Sequence, residues 1–265
     1  MQAVTTINLG NFNTSFTTNM KSMFANLSEL VNLDVSNLIV DNVNNMDSIF
    51  INCSKITELN VNNWNTSNFI YMSSMFYGCR SLEKFNASNW DTSNVTTMAM
   101  TFTNCFSLKS IDFTGWTTNK VTSFNQMFTN CSQLQSLDLS NFDTSNVTDM
   151  YGMFWACQSL KSLILSSFKT NRVIDMRDMF NSCAGLKLLD ISNWDISQID
   201  NINNFFKACL SLDNIIMNNS NYTSINKLIN LLPTRTSSTP GTLTLTEDNN
   251  IDISLLNNKY WNLVN

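Results

Sequence analysis

Histidine is absent from the 265 residues. That excludes Ser-His-Asp and Cys-His nucleophilic sites, the HExxH zinc motif and a histidine switch near neutral pH. Glycine (6) and proline (2) are scarce, which excludes collagen-like and linker-like sequence. Charged residues make up 13% of the chain, about half the usual share of ~25%. The 15 Lys and Arg are scattered and the net charge is −5, whereas a nucleic-acid binder shows a basic stripe. No apolar run approaches the ~20 residues of a transmembrane helix. The first residues, Met1-Gln2-Ala3-Val4-Thr5-Thr6, lack the basic region and apolar core of a secretory signal. Two things are plentiful. Hydrophobic residues reach 43%, which excludes disorder driven by charge, and asparagine fills the polar gap with 43 copies.

The cysteines expose a repeat. Cys53, Cys79, Cys105, Cys131, Cys157, Cys183 and Cys209 are 26 residues apart at every step. Phe24, Phe50, Phe76, Phe102, Phe128, Phe154, Phe180 and Phe206 keep the same step, as does an aromatic column of Phe12, Trp64, Trp90, Trp116, Phe142, Phe168 and Trp194, broken by Leu38. A fixed period of this length marks a solenoid, in which each unit buries its faces only against its neighbours. Within residues 82–107, Leu82, Phe85 and Ala87 follow an LxxLxL spacing that predicts a short half-buried strand. Asp91-Thr92-Ser93-Asn94 is a polar loop of turn formers. Met98, Thr101, Phe102 and Cys105 are spaced i, i+3, i+4, i+7, which predicts a short one-faced helix. The expected fold is therefore an α/β, leucine-rich-repeat-like solenoid of about nine 26-residue coils, each a short strand, a loop and a short helix. The repeat occupies 1–232 and a C-terminal closing segment 233–265, in one domain.

In-register stacking places residues 26 apart side by side. It predicts the ion pairs Lys21–Asp47, Glu29–Lys55, Glu58–Lys84 and Glu83–Lys109, each worth only ~0–1 kcal/mol at the surface. The first coil, beginning near Val4, has no amphipathic cap before it, so further sequence or a partner is expected to cover it. At the other end the period breaks at Pro233; Thr242–Thr246 reads as a strand and Asp252–Leu263 as a closing helix or strand.

The string L-x-L-S-N-F-D-T-S-N-V-T-x-M-x-x-M-F-x-x-C-x-x-L, from Leu137 to Leu160, closely resembles the repeat of BspA-like leucine-rich-repeat surface proteins, including their mycoplasma-lipoprotein branch. The resemblance covers residues 4–232. It implies an adhesin-type role: binding a host or microbial surface protein or glycan, at a bacterial cell surface. Related repeats in phage proteins imply, as an alternative, a virion receptor-binding module; a passive spacer is the third reading. The family brings no catalytic residues and no cofactor. The chain departs from exported members in showing no signal peptide, lipobox cysteine or wall anchor.

Each conspicuous column has a structural use. Metal-binding thiolates must converge on one point, and these cysteines sit on separate coils, so they read as buried free thiols acting as small apolar residues. The Trp/Phe and Met columns read as core. Calcium ladders of the β-roll type need glycine-rich turns, which this chain lacks. Candidate binding residues are therefore outward ones. On the strand face these are Glu58, Glu83, Lys84, Lys109, Asp112 and Asp138, beside Asn60, Asn62, Asn86, Gln135, Lys161, Lys187 and Asp190. Ile164, Leu188 and Ile216 place apolar side chains on the same face, for the closing segment or a partner to cover. Tyr77, Phe106, Tyr151 and Trp155 are expected as outward aromatic anchors beside the helical stripe.

Overall fold

The computed structural model describes residues 4–217, 222–245 and 253–264. The chain winds as a solenoid of about nine turns in which residues 26 apart pair in parallel. Strand β1 (Thr6–Ile7) pairs with β2 (Asn32–Leu33), and β3 (Lys84–Asn86) with β4 (Ser110–Asp112). A five-stranded parallel sheet follows in the order β5 (Ser162–Ile164), β6 (Leu188–Asp190), β7 (Asn214–Met217), β8 (Gly241–Leu245) and β9 (Trp261–Val264). Its register runs Leu163↔Leu189↔Ile215↔Leu243↔Leu263. A second ladder of single parallel bridges links Asn19, Asn45, Tyr71, Thr97, Ser123, Asp149, Asp175 and Asn201.

The segment expected to be a short helix in each coil is not helical. It is a run of tight turns whose N–H groups bond the next coil: Ser22 to Asp47, Phe24 to Ile49 and Asn26 to Ile51, at 2.7–3.0 Å. Two residues per coil, four apart, take positive φ, as at Ser48 and Asn52 or Asn130 and Gln126; a left-handed residue interrupts any α-helix. The reason is spacing. Successive phenylalanines of this segment stack with centroids 5.4–6.0 Å apart. Packed helices need ~8–10 Å between axes, so a ladder this tight excludes them. Bonding to the neighbouring coil satisfies the backbone instead. Among the described residues, helix is confined to α1 (Tyr222–Leu231) and α2 (Ile253–Asn258), beyond the last cysteine-bearing coil. There the 26-residue step ends and a helix has room.

The core is a set of vertical columns. Trp90 and Trp116 stack at 6.0 Å with planes 3° apart, and each indole N–H donates to a carbonyl 29 residues earlier, Trp90 to Val61 and Trp116 to Ala87. Every cysteine does the same: Cys131 Sγ lies 3.2 Å from the Phe102 carbonyl and Cys157 Sγ 3.1 Å from that of Phe128. All seven thiols are buried and free, and burial pushes their pKa values up. Phe12, on the aromatic column of the first described coil, is 55% exposed, and Phe16 nearby is 91% exposed.

One column escaped the sequence reading. Thr14, Thr66, Thr92, Thr118, Thr144 and Thr170 are buried. Thr144 Oγ1 donates to the Lys169 carbonyl at 2.9 Å and accepts from the Lys169 N–H at 2.7 Å, so one hydroxyl closes both backbone groups of the next coil. Thr144→Val keeps the shape and orphans those groups. It is expected to cost about 1–3 kcal/mol, read as a lower urea midpoint with an unchanged m-value.

The closing segment extends the stack rather than folding over it. β8 and β9 add two parallel rungs. Lys227 Nζ takes the carbonyls of Ile196, Ser197 and Ile199, the nearest at 2.6 Å, and Lys259 Nζ those of Asn230 and Leu232. Gly241 is needed because a Cβ there would lie 2.6–2.7 Å from the buried Trp261 ring. The strand expected to end at Thr246 is described as far as Leu245; Thr246 and Asp252 lie outside the described residues.

Candidate binding surface

The LxxLxL pattern sets the surface. Its apolar residues turn inward and the residues between them turn out. Glu58, Glu83, Lys84, Lys109, Asp112 and Asp138 are all exposed and fall on neighbouring rungs, because Lys84, Phe85 and Asn86 pair with Ser110, Ile111 and Asp112. They form one polar strip with Asn60, Asn62, Asn86 and Gln135, which are exposed too.

Part of the strip is committed to internal bonds. Glu83 and Lys109 form a salt bridge of 2.7 Å, and that bond holds the Glu83 carboxyl below the usual range. Glu29–Lys55 closes at 2.5 Å and Lys21–Asp47 at 3.9 Å. Glu58–Lys84 does not form among the described ion pairs. Lys169–Asp143, at 3.6 Å, and Arg177–Asp175, at 2.7 Å, are additional.

Asp112 and Asp138 serve the backbone. Asp112 Oδ1 accepts the Thr114 N–H at 2.9 Å and Asp138 Oδ1 the Ser140 N–H at 2.9 Å, turning the chain at the strand end. Both pKa values are lowered by these bonds. The same corner recurs at Asn8, Asp34, Asn60, Asn86 and Asp190. A second set occupies Asn13, Asn65, Asp91, Asp143 and Asp195, and a third Asn19, Asn45, Asp149 and Asp175. Most coils thus turn on short side chains that bond two residues ahead, and seven of the 43 asparagines serve this way. Asp138→Asn keeps the accepting oxygen and is expected to be silent. Asp138→Ala removes it and is expected to cost about 0.5–1 kcal/mol, read by thermal melting.

The aromatic anchors lie on the turn segment and not on the strand strip. Tyr77, Phe106, Tyr151 and Trp155 are each half-buried. Tyr77 and Trp155 share a column three coils apart. Arg177 lies over the Tyr151 ring at 5.0 Å and Arg80 over Phe106 at 5.5 Å. Leu188 and Ile216 are half-buried in β6 and β7. Ile164 belongs to β5, and its side chain lies outside what is described.

A parallel strand ladder, a repeating LxxLxL core and 26-residue coils define a leucine-rich-repeat-like solenoid protein. Within that class, the chain belongs to the family DUF285, described as a Mycoplasma protein of unknown function, whose model matches residues 1–88, 60–138 and 130–237. No curated protein matches it. Among solved structures it is similar to a TLR13–ssRNA13 complex, with 18% identity, 93% of this chain covered and a TM-score of 0.42; the chain spans 38% of that TLR13 chain. It is also similar to a leucine rich cell surface protein from Faecalibacterium prausnitzii A2-165, with 15% identity, 77% of each chain covered and a TM-score of 0.30. No helix among the described residues is long and apolar enough to cross a membrane.

Proposed function

We propose that the chain is a non-catalytic recognition module that binds a host or microbial surface protein or glycan through the strand-face strip. The observation that carries this reading is the division of labour within each coil. Cysteine, tryptophan and threonine side chains are spent on holding the stack, whereas the strand-face strip stays exposed and polar, with Glu58 and Lys84 outside the corner and ion-pair bonds that occupy Glu83, Lys109, Asp112 and Asp138. A wet polar surface of this kind suits hydrogen-bonding recognition. Catalysis is disfavoured on chemical grounds. Histidine is missing, and the thiols are buried with raised pKa values, so they stay protonated. The repeat motif's likeness to surface proteins supports an extracellular location.

The test is binding of the labelled whole chain to mucin, matrix proteins, mammalian cells and a panel of bacteria. Saturable binding to one class, weakened by Glu58→Gln and Lys84→Gln, is expected; these residues carry no corner hydrogen bond, so the fold stays intact. Binding to bacteria alone would favour the phage-type reading. No binding from folded protein would leave a spacer.

A further inference from the structure

Of the 15 Lys and Arg, five meet a carboxylate within 4 Å among the described residues. Lys21, Lys55, Lys109 and Lys169 each meet a carboxylate on an adjacent coil, and Lys227 and Lys259 are held by carbonyls. Lys161 and Lys187 have neither kind of partner among the described residues and sit side by side. They occupy successive rungs of one column, joined by the Lys187 N–H donating to the Lys161 carbonyl at 2.9 Å. Both are exposed. Neither reaches a carboxylate within 4 Å among the described residues, and Asp213, next in the column, makes no ion pair with Lys187. Parallel rungs are ~4.8 Å apart, and like charges facing each other at that distance destabilise a sheet unless a counter-charge bridges them.

The two lysines line a groove of about 460 Å³. Its other side chains are neutral hydrogen-bonding groups: the carboxamides of Gln135 and Gln158 and the hydroxyls of Ser159 and Ser211. None of these four carries an internal side-chain hydrogen bond among the described residues. The floor is backbone at Gly185. Other coils have Ser81, Ser107, Gln133 or Ser159 at this position; a Cβ on Gly185 would lie 2.6 Å from the Gln158 carbonyl and 3.2 Å from that of Leu160. The groove thus combines two unneutralised ammonium groups, four unused polar side chains and no carboxylate.

We infer that this groove is an anion subsite that holds a sulfate or carboxylate group carried on a sugar. The lysines bridge the charged group, and the carboxamides and hydroxyls take neighbouring ring hydroxyls. A sugar fits better than a nucleic acid, because the groove has no aromatic side chain for base stacking. The inference deepens the surface-recognition reading and rests on it for the source of the ligand.

Calorimetric titration of the whole chain tests it, with a sulfated hexasaccharide, a sialylated trisaccharide, a neutral oligosaccharide of equal length and inorganic sulfate. An acidic sugar is expected to bind, the neutral one not, with affinity falling as salt rises. Lys161→Gln and Lys187→Gln are each expected to weaken binding about tenfold, the scale of one lost charge-assisted hydrogen bond, while Lys120→Gln, at an exposed lysine outside the groove and the strand-face strip, leaves it unchanged. Undiminished binding by the double variant, or no acidic-sugar binding, would overturn the subsite. Inorganic sulfate binding as tightly as the sulfated sugar would overturn the sugar assignment. Cell-surface binding that survives in the double variant would remove the groove and leave the broader reading standing.

Discussion

Phe128→Ala lowers the unfolding free energy by about 3–5 kcal/mol, the usual range for a fully buried phenylalanine. Phe128 is completely buried. It stacks on Phe102 at 5.9 Å and on Phe154 at 5.8 Å, and meets the edge of Phe113 at 5.9 Å. The cavity therefore opens on two coil interfaces at once, near the middle of the array. Stability in a solenoid is close to a sum of unit terms and nearest-neighbour interfaces. Weakening two central interfaces uncouples the halves, so urea unfolding followed by tryptophan fluorescence is expected to change from one transition to two. Phe24→Ala supplies the comparison. Its only phenylalanine ring neighbour among the described residues is Phe50, at 5.7 Å, and it lies in the first described coil. It is expected to cost less and to leave one transition. Equal cost at the two sites, with a single transition in both, would contradict the nearest-neighbour picture.

The columns that make this possible were legible in the sequence because side-chain type is conserved from coil to coil. Cys, Phe and Trp recur at a fixed step, and the structure stacks them in that register. Three of four ion pairs followed from the same arithmetic. Glu58–Lys84 did not, since rung proximity brings two long side chains near each other without making them meet. The helix was misread for a definite reason. Apolar residues at i, i+3, i+4 and i+7 are also what successive tight turns bury. The contrary signal was present: Asn26, Asn52, Gly78, Asn104 and Asn130 all take positive φ, and Asn and Gly are the residues that tolerate it. Their recurrence at one column argues for left-handed turns. The threonine column was hidden in the polar loop, where threonine reads as a turn former until its burial is known. The binding strip was legible as outward positions, but not the use of Asp112 and Asp138 at corners, which depends on where each strand ends. Lys161 and Lys187 looked like two more polar residues of that face. Their meaning lies in what is missing around them, an ion-paired carboxylate and a side chain at position 185.

Raising the pH above 9 is expected to unfold the chain cooperatively, with the cysteine column as the cause. An ordinary thiol titrates near 9.0; burial pushes Cys53 up to about 11 and Cys209 up to about 12, and the other five higher than their ordinary value as well. The folded state therefore binds these protons more tightly than the unfolded state. Stability from this source is fully present below pH 9 and is lost as pH rises toward the folded values. Each thiol contributes a slope of at most about 1.4 kcal/mol per pH unit. With seven of them, the loss at pH 10 has a ceiling on the order of 10 kcal/mol, comparable with the whole stability of an ordinary domain, about 5–15 kcal/mol. Lys259, whose pKa burial lowers, acts in the opposite direction, but it is one group against seven. The measurement is unfolding free energy from urea titrations at half-unit steps from pH 8 to 10.5. The double variant Cys105→Ala/Cys131→Ala should start less stable because of its cavities, yet decline more gently, by up to about 3 kcal/mol per pH unit. The slope isolates thiol ionisation from packing, since a cavity costs the same at every pH. A variant that declines as steeply as the parent would mean that thiol ionisation does not drive alkaline unfolding and that the thiols are apolar fillers only.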